Sequence, residues 1–300
     1  VRLDLALIRQ HPELSRRRAR DAIEKGQVSV DGRALREPGA AVSASSVIVW
    51  NPHQKALPRA RLSLPVLYED ETLLIVDKPA GLLTVPTSPD ARDEDTALAR
   101  LQHYVRRLHP RRPYVGVVHR IDRGTSGAVA FALREDARQA LRRLFREHRI
   151  ERRYAAIVVG QPRADAGEVD LPIYDVYQGG RRRVARPGEP SRPALTRFKV
   201  VERIRGLALL EVELETGRQH QIRVHLAHVG LPILGDPVYR DRAAGRPPVQ
   251  AGRPMLHARH LAFEHPLTGA AVRAEAPLPA DFQAALRELR RLSSRGRPGG

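Results

Sequence analysis

Val117-Val118-His119-Arg120-Ile121-Asp122-Arg123-Gly124-Thr125-Ser126-Gly127 is the stretch on which the reading of this chain turns. Apolar β-formers flank it, from Tyr114 to Val118 before and from Ala128 to Leu133 after. This pattern predicts two buried strands joined by a polar loop. The loop holds one carboxylate, Asp122, between Arg120 and Arg123. A lone Asp in a Gly-containing turn commonly caps that turn. Two features place a chemical role beside the capping one. Paired arginines favour an ionised carboxylate, and loops at strand ends are where scaffolds present reactive groups.

Outward from this loop the chain is strongly basic. Its 300 residues carry 52 Lys and Arg against 34 Asp and Glu, a formal charge of +18. Such an excess predicts a polyanionic partner, with nucleic acid the commonest. Lys25, Lys55, Lys78 and Lys199 are the only lysines, so almost all the positive charge is arginine. There is no cysteine, which excludes disulfides and thiolate metal sites. No apolar run approaches the roughly 20 residues a membrane span needs, and no signal peptide is visible. The expectation is a soluble cytoplasmic protein of two domains, long enough to bury a real core.

Residues 1–51 read as a separate module. A first helix runs from Leu3 to about Gln10, with Leu3, Leu7 and Ile8 on one face. Ser15 stands at an N-cap position and opens a second helix, Arg16 to Lys25, with Ala19, Ala22 and Ile23 inward. Gly26 stops it. Val28-Ser29-Val30 is a strand, Asp31-Gly32 a tight hairpin turn, and Val47 to Trp50 a closing strand. Ser15, Arg16, Arg17 and Arg20 cluster at the start of the second helix. Cations there oppose the helix dipole by roughly 0.3–1 kcal/mol each, which makes sense where an external phosphate binds. The alternative is a solvated basic face. Arg2-Leu3-Asp4, Leu14-Ser15-Arg16 and Ile23 to Gly32 resemble the RNA-binding domain of the ribosomal protein S-four type. Asp31 replaces that family's usual Asn, and Ser45-Ser46 its usual Gly-Asp.

Residues 52–64 lack periodicity and read as a linker. From residue 65 to 292, strands (Thr72 to Val76, Tyr154 to Val159, Ala194 to Val201, Leu207 to Leu214, Leu256 to Phe263, Ala271 to Glu275) mix with helices (Thr96 to Leu108, Arg134 to His148, Gly217 to His228, Asp281 to Leu292). Asp77 to Gly81 reads as a turn. The absence of strict βαβ alternation predicts an α+β fold, with a mixed, largely antiparallel sheet in the larger domain. The smaller N-terminal module is α/β. Residues 293–300 read as a disordered tail. Arg181, Arg182 and Arg183, after Gly179-Gly180, form either a hairpin tip reaching for phosphates or a solvated charge run.

No Walker loop and no GxGxxG is present. His220, His225 and His228 invite a metal reading, but their spacing turns His220 and His225 apart on a helix and no carboxylate completes a site, so no metal is expected. In Thr216 to Leu226, helical placement sets Arg223 one turn from His220 and Gln219, off the Ile222, Leu226, Val229 stripe. Such an arginine is ordinarily on the surface, and pairing with a buried Asp is the sharper reading.

His119 to Gly127 resembles the catalytic motif of the RluA-type pseudouridine synthases, with Ile121 where that family usually has Leu. Gly217 to Leu226, Gly230 to Asp236 and Leu256 to Pro266 match the same family, in order and spacing, across about residues 65–280. The resemblance implies roles. Asp122 would be the catalytic carboxylate, Tyr154 the aromatic that stacks on the target base, and Arg223 the arginine paired with Asp122. Arg120 would help hold the flipped-out nucleotide or its vacated stack. Arg152 stands where the family commonly has Lys.

Converting uridine to pseudouridine breaks a base–sugar C–N bond and rejoins the base through carbon. Nothing is oxidised and no phosphate moves, so no cofactor is expected. A carboxylate serves either as nucleophile at the anomeric carbon or as base on the sugar. The target must leave its stack, at a few kcal/mol. Stacking on an aromatic returns roughly 1–3 kcal/mol. The expected substrate is bacterial large-subunit ribosomal RNA, bound by a monomer, with tRNA as the second choice. A non-catalytic RNA-binding assembly factor is the alternative of another class.

Overall fold

Leu3 and Leu7, one turn apart on helix α1 (Leu3–Gln10), are fully buried, and helix α2 (Arg16–Glu24) lays Ala19, Ala22 and Ile23 against them. The computed structural model describes residues 1–31, 33–35, 37–43, 45–52, 62–91, 94–108, 113–177, 179–240 and 247–294. Most of the expected linker, the expected tail from residue 295, and Gly32 of the expected turn lie outside them. The chain separates into two units, Val1–Arg61 and Leu62–Gly300.

In the first unit, strand β1 (Val28–Val30) pairs antiparallel with β2 (Arg33–Ala34) on one side and β3 (Ile48–Trp50) on the other. Asp31 sits at φ 51°, a conformation Asp tolerates almost as Asn does. Its carboxylate accepts the Val47 N–H at 2.8 Å, so the departure from Asn costs the turn little. Ser15 caps α2 by accepting the Arg18 N–H at 3.3 Å. Asp4 is fully buried and receives Arg2 at 2.9 and 3.1 Å, with Arg16 4.0 Å away.

The second unit is one ten-stranded sheet with helices packed on it. Its elements in chain order are β4 (Val66–Glu69), β5 (Leu73–Lys78), α3 (Ala97–Leu108), β6 (Gly116–Val117), β7 (Ser126–Ala132), α4 (Glu135–Arg146), β8 (Glu151–Val159) and β9 (Ala166–Asp170). Then come β10 (Ile173–Tyr174), β11 (Ser191–Arg192), β12 (Leu195–Ile204), β13 (Leu207–Leu214), α5 (Gln221–His228), β14 (Leu256–Glu264), β15 (Ala271–Glu275) and α6 (Ala280–Ser294). Strand order is β4-β5-β7-β14-β8-β13-β12-β9, with β6 beside β7 and β15 beside β14, while β10 and β11 form a separate hairpin. All described pairings between these strands are antiparallel except β7 with β14, where Ser126 faces His257 and Gly127 faces Ala258. The mixed, largely antiparallel α+β expectation therefore holds.

Successive side chains of each strand face opposite sides of the sheet, and both sides are packed. Leu73 and Ile75 of β5 meet Ala137 and Leu141 of α4, while Leu74 and Val76 join Leu101 of α3. Ala155 and Ile157 of β8 meet Phe282 and Leu286 of α6. Tyr154, Ala156 and Val158 face Ile121 and, on α5, Ile222 and Leu226. The loop bearing Asp122 thus enters the sheet at its middle, on the same side as Tyr154 and α5. Gly127 makes that entry possible. It adopts φ +114°, and a Cβ there would stand 2.2 Å from the Ala258 carbonyl oxygen, which no side chain tolerates.

Four expectations change. β5 continues through Asp77 and Lys78, which were read as a turn. Lys78 is long enough to bury its stem and spend its charge on carbonyls. Helix α5 begins at Gln221 rather than Gly217. The Gln221 amide ties down the preceding loop, accepting from Thr216 Oγ1 at 2.8 Å and from the Arg218 N–H at 2.9 Å. Val229 lies past the helix and is exposed instead of joining the Ile222 stripe. The strand before the Asp122 loop, expected from Tyr114, is only the two residues of β6.

Candidate active site

The Asp122 loop is clamped from several sides. Thr84 Oγ1 donates to the Ile121 carbonyl at 2.8 Å. The Gly81 N–H donates to the Arg123 carbonyl at 2.8 Å, and Arg123 Nε returns a bond to the Gly81 carbonyl at 3.0 Å. Lys78 Nζ, fully buried, donates to the carbonyls of Leu82 at 2.7 Å, Pro79 at 3.0 Å and Arg123 at 3.5 Å. Burial lowers its pKa to about 7 against the opposing pull of Asp122. The Thr125 N–H goes to the Asp122 main-chain oxygen at 3.1 Å. The Asp122 side chain is therefore free of the capping duty that a lone turn Asp commonly performs.

That side chain, 19 % exposed, points to Arg223, whose Nη1 donates to Oδ2 at 3.1 Å. Arg223 comes from α5 and is itself held by Asp236 through two parallel bonds, Nε at 2.7 Å and Nη2 at 3.0 Å. Burial disfavours the guanidinium charge, but Asp236 and then Asp122 outweigh it and hold its pKa above the ordinary value. Burial likewise pushes Asp236 up, and Arg223 with the N–H groups of Val238 and Tyr239 brings it below the usual carboxylate range. The flanking Arg120 and Arg123 do not supply the counter-charge; Arg223, the arginine that the family resemblance paired with Asp122, does. Arg123 is turned onto Gly81 and Arg120 is exposed in the cleft. The ion pair comes from 101 residues downstream.

His220 completes the surround. Its Nε2 lies 3.8 Å from the same Oδ2. The Tyr239 hydroxyl accepts the Arg182 N–H at 2.8 Å and sits 2.8 Å from His220 Nδ1. The Tyr239 hydroxyl, which can donate as well as accept, anchors the His220 ring while Nε2 faces Asp122. Burial keeps His220 below its ordinary pKa despite the Asp122 charge. Arg223 and His220 both approach Oδ2, and no described residue bonds Oδ1.

Around this carboxylate opens a cleft of about 840 Å³ in which Asp122 is the only acidic lining residue among those described. Tyr154 lines it, buried among Ile121 and Ile222. Its phenol pKa is raised by burial, with Arg152 opposing and Asp122 adding to the rise. Arg152 is buried, stacks on Phe145 at 5.6 Å and donates to the carbonyls of Leu214 and Glu215 at 3.0 and 2.9 Å. From α4, Arg138, Arg142 and Arg146 line one wall, and Arg218 stands in the loop before α5. Arg142 and Arg146 have no carboxylate partner among the described residues. His119 takes a supporting role: its Nε2 accepts the Ala130 N–H at 2.9 Å and its ring stacks on Phe145 at 4.6 Å.

The structure brings Asp122, Arg223, Tyr154 and Arg120 together in this cleft. The run Arg181 to Arg183 does not form a free basic tip. Arg182 donates to Gln219 at 3.1 Å and to the Asp175 carbonyl at 2.5 Å. Arg183 pairs with Glu189 at 2.5 Å and covers Tyr174, leaving Arg181 exposed. In the N-terminal unit, the Ser15 hydroxyl serves the helix cap, while Arg16, Arg17 and Arg20 are exposed. Sequence reading missed Asp236, His220 and Tyr239. Asp236 lies in the Gly230 to Asp236 stretch, and only an acidic residue with no exposed role there hinted at a buried partner.

A rigid carboxylate held by a buried arginine, at the floor of a cationic cleft, defines an enzyme whose substrate is a polyanion. The profile of the RNA pseudouridylate synthases matches residues 72–228, and that of the S4 domain matches residues 1–48. Ribosomal large subunit pseudouridine synthase D of Pseudomonas aeruginosa is 36 % identical over 94 % of this chain and 89 % of its own length. An RNA pseudouridine synthase of Synechocystis is 37 % identical over 97 % and 89 %. Human RNA pseudouridylate synthase domain containing 4, a solved structure, superposes with a TM-score of 0.62 at 27 % identity, covering 75 % of this chain and 93 % of that one. The chain belongs to the RNA pseudouridylate synthase family and carries an S4 domain ahead of the catalytic one.

Proposed function

We propose that this isomerase converts specific uridines of bacterial large-subunit ribosomal RNA to pseudouridine, with Asp122 as the catalytic carboxylate. The observation that carries the assignment is the fixed Asp122, bonded at Oδ2 by Arg223 and bare at Oδ1. The names of relatives such as that of Pseudomonas aeruginosa support the ribosomal substrate. Oδ1 faces the ribose either as nucleophile at C1′ or as base on the sugar. Arg223 balances the carboxylate charge without blocking that oxygen, and Asp236 prevents Arg223 from following the substrate.

Tyr154 stacks on the uracil once it leaves its helix. Burial suits this role, because a ring already packed loses little entropy on contact. Arg120 supports the extruded nucleotide. Arg142, Arg146 and Arg218 meet the phosphates that follow it. Arg16, Arg17, Arg20 and Arg181 add sequence-independent affinity from outside the cleft. The reaction shifts a bond within one substrate, so neither metal nor cofactor is called for, and one monomer carries the whole site. A protein acting on ribosomal RNA works in the cytoplasm.

The division into an RNA-binding domain over residues 1–51 and a catalytic domain over 65–292 follows the same reading. The test is a pseudouridine map of ribosomal and transfer RNA from cells with and without this gene. Loss of large-subunit sites, restored by the gene, supports the proposal. Loss confined to tRNA moves the substrate, and no loss anywhere favours an assembly factor without catalysis.

A further inference from the structure

Of the thirteen Phe, Tyr and Trp residues, all but Tyr177 are buried or half-buried, whereas Tyr177 stands 48 % exposed. It follows β10 in the β10–β11 hairpin segment and is one side chain from the catalytic carboxylate. Its ring edge meets the His220 ring at 6.2 Å between centroids, and His220 in turn lies 3.8 Å from Asp122. Its exposure leaves apolar ring surface open to a planar partner.

The ring is also backed. The Arg182 guanidinium lies 5.2 Å over it. Arg182 cannot swing away, because Gln219 Oε1, the Tyr174 carbonyl and the Asp175 carbonyl all accept from it. Its own N–H is bonded to Tyr239, which also holds His220. One network therefore fixes the Tyr177 support and the Asp122 surround together. A pinned cation on one side of an exposed ring, beside a site that takes an extruded nucleotide, is the arrangement that receives an unpaired base.

We propose that Tyr177 is a stacking platform for the unpaired base next to the target uridine in the RNA chain, a nucleotide subsite separate from the Tyr154 position. The subsite rests on the RNA-modifying reading of the Asp122 cleft. It makes the residue beside the target, and not only the target, part of what the enzyme recognises. Any base can stack, so the subsite selects for an unpaired neighbour more than for its identity, with purines favoured by their larger faces.

The test uses the full chain with two RNAs, a large-subunit ribosomal transcript and a short single strand carrying one uridine between purines. Tyr177→Ala, Tyr177→Phe and wild type are compared on each RNA and on versions with an abasic ribose at either neighbour of the uridine. Tyr177→Ala is expected to bind about tenfold more weakly, with kcat at saturating RNA unchanged, and Tyr177→Phe to bind as wild type. The abasic neighbour costs wild type a similar factor and costs Tyr177→Ala nothing more, which is the coupling a contact requires. Wild-type affinity in Tyr177→Ala, or an equal abasic penalty in both proteins, overturns the subsite. A ribosomal transcript that wild type binds but does not convert counts against the ribosomal substrate, while the single-strand coupling still decides on Tyr177.

Discussion

Arg223 grips Asp236 with two parallel hydrogen bonds, at 2.7 and 3.0 Å, and offers Asp122 only its remaining nitrogen, at 3.1 Å. Asp236 is fully buried and Arg223 nearly so. The fork makes Arg223 part of the scaffold, so Asp122 meets a cation that is already in place. Pre-organised charge of this kind costs nothing at the moment of reaction.

Asp236→Asn leaves the shape and removes the charge that orients Arg223. Breaking one partner of a buried pair strands the other. The expected loss of folding stability is about 3 kcal/mol, read by urea unfolding. Turnover is expected to fall about 100-fold, because Arg223 no longer holds a single position. An Asp236→Asn enzyme with wild-type turnover would show that Asp236 does not position the site.

His119 gives the fold a pH dependence. Its Nε2 accepts the Ala130 N–H, which requires the neutral ring. Burial, with Arg152 adding to it, lowers its pKa from 6.5 to about 3. The unfolded chain thus takes up a proton below pH 6.5 that the folded chain refuses until about pH 3. Stability from this group rises with pH across that window and is lost as pH falls through it. His119→Gln keeps an acceptor and removes the titration. Its stability against pH is expected to be flatter than wild type on the acid side, and an unchanged acid slope would remove His119 from the account.

Gly127→Ala tests the strand junction. The new methyl would meet the Ala258 carbonyl at 2.2 Å, in a backbone conformation of φ +114°. The parallel pairing of β7 with β14 would have to open. A cost of about 3 kcal/mol or more is expected, visible as insoluble expression or a sharply lowered melting temperature. A well-folded Gly127→Ala protein would mean that the junction is far more pliable than its geometry indicates.

Ser15→Ala separates capping from RNA contact in the N-terminal unit. Ser15 accepts the Arg18 N–H, and losing such a cap costs about 1 kcal/mol. Local hydrogen exchange in α2 is expected to rise while RNA affinity stays near wild type. Arg17→Ala, by contrast, should weaken binding and lower its salt dependence. If Ser15→Ala weakened RNA binding as much as Arg17→Ala, the hydroxyl would be a contact after all.

Much of this architecture was legible in the residues themselves. The unbroken apolar run Leu73 to Val76, buried on both faces, and the helical stripe of Leu98, Leu101 and Val105 reported their elements directly. The Asp122 loop stood out because polar residues interrupt two apolar runs. What escaped was set by distance in sequence. Arg120 and Arg123 flank Asp122 but turn elsewhere, and only the family resemblance, not local spacing, pointed to Arg223 of α5 as the counter-charge. Asp236 and Tyr239 acquire meaning only when the fold sets them against Arg223 and His220. Charge runs were ambiguous for a related reason: Arg181, Arg182 and Arg183 look alike in sequence, and tertiary partners tie down Arg182 and Arg183.

The central claim is that Asp122 does chemistry on RNA that the rest of the protein binds. The most direct measurement is conversion of uridine in a large-subunit ribosomal transcript by wild type and Asp122→Asn, alongside the affinity of each for that transcript. Asn preserves the side-chain shape and can still accept from Arg223, so binding should remain near wild type while pseudouridine formation disappears. Conversion by Asp122→Asn at an undiminished rate would contradict the account, because the reaction would then belong to another residue.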